Sequence, residues 1–249
     1  MQSRFNFNLG ILVLFLIMTL GCFCVTGSHV LHAAAQSEGS AWSGEESDLD
    51  PWEPFNENMF EFNRQLDRFI LRNIAKAYDA ALPDLIQKGI KNAINNVGVI
   101  RRLVNNLLQL KMEGAGTEVV RFTLNSTIGV AGLIDIAKEI GIRESDEDTG
   151  QTLAAYGIDH GPYLVLPFLP VTTVRDGVGS LVDVALNPLH YIFPAAGING
   201  ASTGISALGT VNERSMNLDK FGGVEETVID LYGAVRNAYF QRRAAAVAE

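Results

Sequence analysis

Gly200-Ala201-Ser202-Thr203-Gly204 has the G-x-S-x-G spacing that hydrolases use to place a nucleophilic serine on a sharp turn between a strand and a helix. That chemistry needs a strand before the serine and a histidine after it. Nothing strand-like precedes Gly200, and the last histidine is His190, so the segment reads as small residues that let helices approach closely. Asp146-Glu147-Asp148-Thr149-Gly150 clusters carboxylates as a calcium loop does. Its fifth position, however, is Gly150, and the twelfth, where a bidentate acid is required, is Gly157. Arg143 to Gly150 is therefore expected to be a solvated acidic loop. His160 and His190 stand thirty residues apart without a nearby cysteine, which is not a zinc spacing, and each reads as a structural or interfacial histidine. Neither a G-x-x-x-x-G-K-[ST] loop nor a strand-borne G-x-G-x-x-G is present. The expectation is a protein that is not an enzyme and uses no metal or cofactor.

The elements around these residues are mostly helical. The chain has 249 residues and a net charge of −9 from 19 bases and 28 acids; this argues against nucleic-acid binding through a basic patch, which needs clustered Lys and Arg. Arg4 precedes an uncharged apolar run from Leu9 to Val25 and then Ala33-Ala34-Ala35, the order of a secretory signal. Two cleavage readings stay open. Cutting after Ala35 leaves no cysteine, whereas Thr19-Leu20-Gly21-Cys22 resembles a lipobox and would leave an acylated Cys22 at the N-terminus. Residues 36–49 are small and acidic, and read as a flexible tether.

Asp50-Pro51-Trp52-Glu53 reads as the start of a helix, with Asp50 as the cap and proline in the first turn. Phe55, Met59, Phe62, Leu66 and Phe69 then share one helical face. That stripe reads first as a core face and second as a ligand-contact face. Further stripes run through Leu82, Leu85, Ile86, Ile90 and Ile94, through Ile100, Leu103, Val104, Leu107 and Leu108, and through Val119, Val120, Phe122 and Leu124. Leu164-Val165-Leu166-Pro167-Phe168-Leu169-Pro170 is uncharged and cannot form a regular helix; it reads as an apolar loop at a membrane or channel. Thr173 can cap a following helix. From Val184 to Asn212 no residue is charged, yet Pro188, Pro194 and several glycines disfavour a simple transmembrane helix. A last helix is expected over about 224–243, with Val228, Leu231, Tyr232, Val235 and Tyr239 on one side.

Asp50-Pro51-Trp52-Glu53-Pro54-Phe55-Asn56, with Met59-Phe60-Glu61-Phe62-Asn63 and Leu66-Asp67, resembles the opening motif of the MlaA/VacJ family of outer-membrane lipoproteins. Arg121-Phe122-Thr123-Leu124-Asn125-Ser126-Thr127-Ile128-Gly129, Thr149-Gly150-Gln151-Thr152-Leu153, Gly161-Pro162-Tyr163-Leu164-Val165-Leu166-Pro167 and Ala238-Tyr239-Phe240-Gln241-Arg242-Arg243 resemble its later blocks in the same order. The family often has glycine where this chain has Pro170. The likeness covers residues 50–243, leaving 244–249 as a tail.

The resemblance implies an all-α, ring-like assembly of amphipathic helices in the membrane interface, on the periplasmic side of the outer membrane. It would act as a passive conduit that removes misplaced phospholipid from the outer leaflet and hands it to a periplasmic carrier of the MlaC type, maintaining lipid asymmetry. A trimeric porin is the implied membrane partner. The residues expected at lipid or membrane are Phe55, Phe60, Phe62, Leu166, Pro167, Phe168 and Leu169, with Cys22 as the lipidation site under the cleavage reading that cuts before it. The rival expectation is a tethered periplasmic binding or scaffold module without a lipid channel.

Overall fold

A computed structural model describes residues 50–220 and 227–248. The signal, Cys22 and the tether lie outside the described residues. What is described is almost entirely helical, with one two-stranded ladder. It forms two compact units, one of residues 50–81, 163–172 and 200–242, the other of 82–162, 173–199 and 243–248.

The first unit begins with α1 (Glu53–Leu66), which passes through a single π turn, Asp67–Leu71, into α2 (Arg72–Ala81). The loop 163–172 starts with strand β1 (Tyr163–Leu164), which pairs with β2 (Thr172–Thr173). Two helices complete the unit, α10 (Ala201–Ser215) and the part of α11 (Leu231–Ala248) up to Arg242. The core is aromatic: Tyr163, Val165 and Val171 from the loop meet Tyr232, Val235, Ala238 and Tyr239 of α11, with Met59 and Phe60 of α1 packed alongside. The Tyr163 ring lies edge-on to Tyr239 and Tyr232, at 5.9 and 6.2 Å between centroids, an arrangement that gains over plain area burial. On the other side of α1, Arg214 of α10 grips Asp67 at the π turn with two bonds of 2.8 and 2.9 Å.

The second unit holds α3 (Asp84–Val97), α4 (Val99–Leu108), α5 (Met112–Thr127), the short α6 (Ile136–Glu139), α7 (Thr149–Ala155), α8 (Val174–Ala185) and α9 (Leu189–Ala195). Thr173 caps α8 as expected, its hydroxyl accepting the Asp176 N–H. Helices α7 and α8 cross where Gly150 meets Gly179; a side chain on Gly179 would collide with the Gly150 backbone.

Three features depart from the sequence reading. The stripe Phe55, Met59, Phe62, Leu66, Phe69 is a core face only in part: Met59 and Leu66 pack against buried clusters, whereas Phe55, Phe62 and Phe69 are exposed, Phe69 to 68%. On the same helix Asn56 and Asn63 are buried instead. Asp50 is not a helix cap either: Trp52 occupies that position without a side-chain bond, and Asp50 is buried. Finally, α11 starts at Leu231 and runs through Ala248, so residues 244–248 continue the helix rather than forming a tail.

The inversion seen on α1 recurs. In α4, Arg102, Asn105 and Asn106 point in while Ile100, Leu107 and Leu108 are exposed; in α5, Glu118, Arg121 and Asn125 point in while Val119, Val120 and Phe122 are exposed. Among the described residues, 23 polar or charged residues are buried against 12 apolar ones. A soluble globule has the opposite preference. Such an interior is stable only if most of its polar groups are paired, as the Arg102 and Glu118 side chains are at 2.7 Å; the exceptions among the described residues include Arg121 Nε and the Tyr163 hydroxyl.

Candidate functional site

The apolar loop is held to α1 by two side-chain amides seven residues apart. Asn56 gives its Nδ2 to Tyr163 O at 3.0 Å and takes the Val165 N–H on its Oδ1 at 2.8 Å. One register further along, Asn63 gives Nδ2 to Leu166 O at 2.9 Å and takes the Phe168 N–H at 2.8 Å. Each amide thus acts as a strand partner would, satisfying a carbonyl and an N–H two residues apart in a segment whose prolines prevent a regular ladder.

This clamp decides where each expected contact residue lies. Pro167 is exposed at the tip, and Leu166, Phe168 and Leu169 are half-buried. Phe168 is in the left-handed region, φ 65°, unusual for a bulky residue. Its ring stands edge-on to Phe62 at 5.5 Å and also packs with Leu66 and Val211 around Leu71. Phe55 and Phe62 are nearly half exposed on the same face of α1. Phe60 faces away from them and packs edge-on against Tyr232 at 5.6 Å. The clamp therefore brings Phe62 and Phe168 together, leaves Pro167 exposed at the tip of the loop and keeps Phe60 on the core side.

A buried ionic knot fixes the start of α1. The Asp50 carboxylate accepts from Asn56 at 2.7 Å, from Arg236 at 3.2 Å and from the Tyr232 hydroxyl. Burial, together with the bond to Asp50, holds the Tyr232 hydroxyl far above the usual phenol range. Burial works against the charge of Arg236, but the bond to Asp50 and the nearby Glu53 outweigh it and raise its pKa.

In the second unit the segment 143–150 is solvated only in part: Arg143, Glu144 and Asp146 are exposed, whereas its second half turns inward. Glu147 is buried and accepts from Lys111 at 2.7 Å and Gln109 at 2.8 Å. Asp148 caps α7 through the Gln151 N–H and takes Arg243 at 2.6 Å. These acids are internal partners for cations and N–H groups. Asp183 accepts from Thr149 Oγ1 at 2.6 Å, and burial raises its pKa.

Ser202 lies in the first turn of α10, behind a left-handed Gly200 and not behind a strand. A side chain on Gly204 would meet nothing within 4 Å among the described residues, so close helix approach does not explain that glycine. His190 Nδ1 lies 2.9 Å from Val184 O, and His160 Nδ1 2.5 Å from Gly161 O. Among the described residues no group of His, Cys, Asp or Glu could hold a metal ion, and no helix is long and apolar enough to cross a membrane.

Comparison with known proteins fits this geometry. The profile of the MlaA lipoprotein family matches residues 48–246. The intermembrane phospholipid transport system lipoprotein MlaA of Escherichia coli K12 is 33% identical over 211 residues, covering 82% of this chain and 81% of that protein. The Haemophilus influenzae protein of the same name is 32% identical over 198 residues, covering 77% and 76%, and an uncharacterized Rickettsia felis protein is 36% identical over 199 residues, covering 80% and 78%. A solved structure reported as the structural basis for maintenance of bacterial outer membrane lipid asymmetry superposes with a TM-score of 0.68 at 32% identity, covering 80% of this chain and 98% of that one.

Proposed function

This chain belongs to the MlaA lipoprotein family, and we propose that it is a passive phospholipid conduit on the periplasmic side of the outer membrane. In this reading it withdraws misplaced phospholipid from the outer leaflet and passes it to a periplasmic carrier of the MlaC type, with a trimeric porin as its neighbour in the membrane. The observation that carries the reading is the inverted burial of the helices, with paired polar side chains inside and large apolar ones outside.

The energetics agree. A phospholipid with two chains of about sixteen carbons would expose on the order of 20 kcal/mol of apolar surface in water, at about 0.8 kcal/mol per CH₂. A protein that moves it must give the tails an apolar surface and the headgroup a polar one. Helices whose two faces are so divided supply both, and exposed apolar residues such as Phe55 and Phe62 on α1 and Pro167 on the loop are of the kind that sit at acyl-chain depth. No chemical step is needed, because direction can come from the partners' affinities.

The test is outer-leaflet phospholipid in cells lacking this chain and in cells regaining it. Accumulation on loss and recovery on return is expected; no change in either strain refutes the conduit. Ser202, His160 and His190, each replaced by alanine, should restore asymmetry as well as the wild type. A folded, localised but inactive variant among them would establish a chemical step instead.

A further inference from the structure

Inside the second unit, between α3, α4 and α5, lies a cavity of about 10 Å³ lined almost wholly by polar side chains. That volume holds one water-sized group and no more. Two cations line it, Arg102 and Arg121, each 3% exposed. Arg121 Nη2 is spent on both oxygens of Asp135, at 2.9 and 3.2 Å, and Nη1 on Ile142 O. Its Nε–H has no acceptor among the described residues.

The amides around it divide into two kinds. Asn125 uses both ends, giving to Asp135 and accepting the Ala137 N–H. Asn92 and Asn96 use only their Nδ2, on Leu133 O at 3.1 Å and Ser126 Oγ at 3.0 Å, and among the described residues nothing donates to either Oδ1. Residues carrying one buried, unpaired N–H donor and two unused amide oxygens therefore line room for a single oxygen atom.

Three headgroup chemistries can be weighed against that set. A phosphate oxygen can accept from Nε but has no proton for the amide oxygens. Formal charge does not favour it either, since Arg121 is matched by Asp135 and Arg102 by Glu118. An ammonium cannot accept from Nε and would sit beside a second cation. A hydroxyl accepts from Nε and donates to an amide oxygen, using both kinds of group at once. Phe122, about half exposed, lines the same cavity and offers an apolar neighbour on the tail side.

We infer that this cavity reads the lipid headgroup, taking one hydroxyl of a glycerol-type headgroup and rejecting an ammonium-bearing one. The inference rests on the conduit reading and specifies its substrate class. Sites built to pair a hydroxyl discriminate against analogues that lack it because their polar groups are then left unpaired.

The experiment uses the full chain in detergent micelles and two short-chain probes with identical acyl chains, phosphatidylglycerol and phosphatidylethanolamine. Phosphatidylglycerol should bind about tenfold more tightly, the effect of roughly one net hydrogen bond. Asn96→Asp, and separately Asn92→Asp, put a carboxylate where the free amide oxygen stood, so either should shrink the preference and strengthen phosphatidylethanolamine binding, a gain that misfolding cannot mimic. Equal binding of both lipids by the wild type leaves the cavity to a structural water and overturns this inference while sparing the conduit. A preference that neither variant moves also overturns it, by locating selectivity elsewhere. Failure of both lipids to bind overturns the conduit reading as well.

Discussion

Asn63 holds Phe168 by its backbone, the amide oxygen taking the Phe168 N–H at 2.8 Å while the amide nitrogen reaches Leu166 O at 2.9 Å. One buried polar side chain thus sets the path of a loop that propensity alone would leave undetermined. Asn63→Leu keeps the volume and removes both bonds, leaving an N–H and a carbonyl without partners. A loss of about 2–4 kcal/mol is expected, read as a lower urea midpoint in mild detergent. Asn63→Asp, which still accepts the N–H, should lose less; equal midpoints for all three proteins would refute the clamp.

The two faces of α1 should respond oppositely to charge. Phe55→Asp and Pro167→Asp alter exposed positions, so unfolding should shift by no more than about 0.5 kcal/mol. Binding to vesicles should weaken at least tenfold, since one large apolar side chain contributes roughly 1.5–3 kcal/mol when buried. Phe60→Asp would place a charge against Tyr232 and should prevent folding. Phe168→Asp should also lose stability, because its ring packs around Leu71. Vesicle flotation beside a thermal melt separates the two classes.

Arg102 and Glu118 form a buried pair with almost no water contact. Arg102→Met should cost about 3–5 kcal/mol, because it strands the Glu118 carboxylate. Arg102→Met with Glu118→Leu should cost clearly less than the two single changes together. Additive losses in a double-mutant cycle would mean that the pair is not coupled.

Acid should loosen the second unit through Asp148. Burial alone would raise its pKa, but the Arg243 guanidinium and the Gln151 N–H outweigh burial and hold the carboxyl below its usual range. With the folded value below the unfolded one of about 3.9, the stabilisation is whole above that pH and is lost as pH falls through the depressed value. Asp183, raised by burial, works in reverse, and its cost appears as pH climbs through its raised value. The stability gap between the wild type and Arg243→Met should therefore be widest near neutrality and narrow as pH falls through the depressed value of Asp148. A gap that stays constant with pH would rule out this pairing as the source.

Cys22 lies outside the described residues, and its acylation is tested directly. Radiolabelled palmitate should enter the wild type and not Cys22→Ala. Attachment to the membrane should survive the substitution, because one acyl chain anchors only marginally beside a surface of many apolar side chains. A mature N-terminus at Gln36 would refute acylation.

Helical class and the positions of α1, α3, α4 and α5 were legible from apolar spacing, because a 3.6-residue period marks a face whatever that face meets. Which face turns inward was not legible. Phe55, Phe62 and Phe69 repeat at the same interval as Asn56 and Asn63, and periodicity is blind to the choice between the two stripes. The choice follows from pairing: Asn56 and Asn63 meet loop backbone, and Arg102 meets Glu118, contacts between residues far apart in sequence. Within the acidic loop, Glu147 and Asp148 were misread for the same reason, since their cations Lys111 and Arg243 lie 36 and 95 residues away. Tyr232, Val235 and Tyr239 were placed correctly because on α11 the apolar face is also the inner one.

The knot at Asp50 sets the order in which the chain can fold. Asp50 bonds to Tyr232 and Arg236, 182 and 186 residues later, and Asn56 bonds to Tyr163, 107 residues later. A chain that emerges from its N-terminus delivers the loop clamped by Asn56 only 107 residues later, and the Tyr232 and Arg236 partners of Asp50 only near the end. Contacts of such long range form slowly. Until α11 arrives, Asp50 has met neither Tyr232 nor Arg236, and a chain held in that incomplete state is open to aggregation.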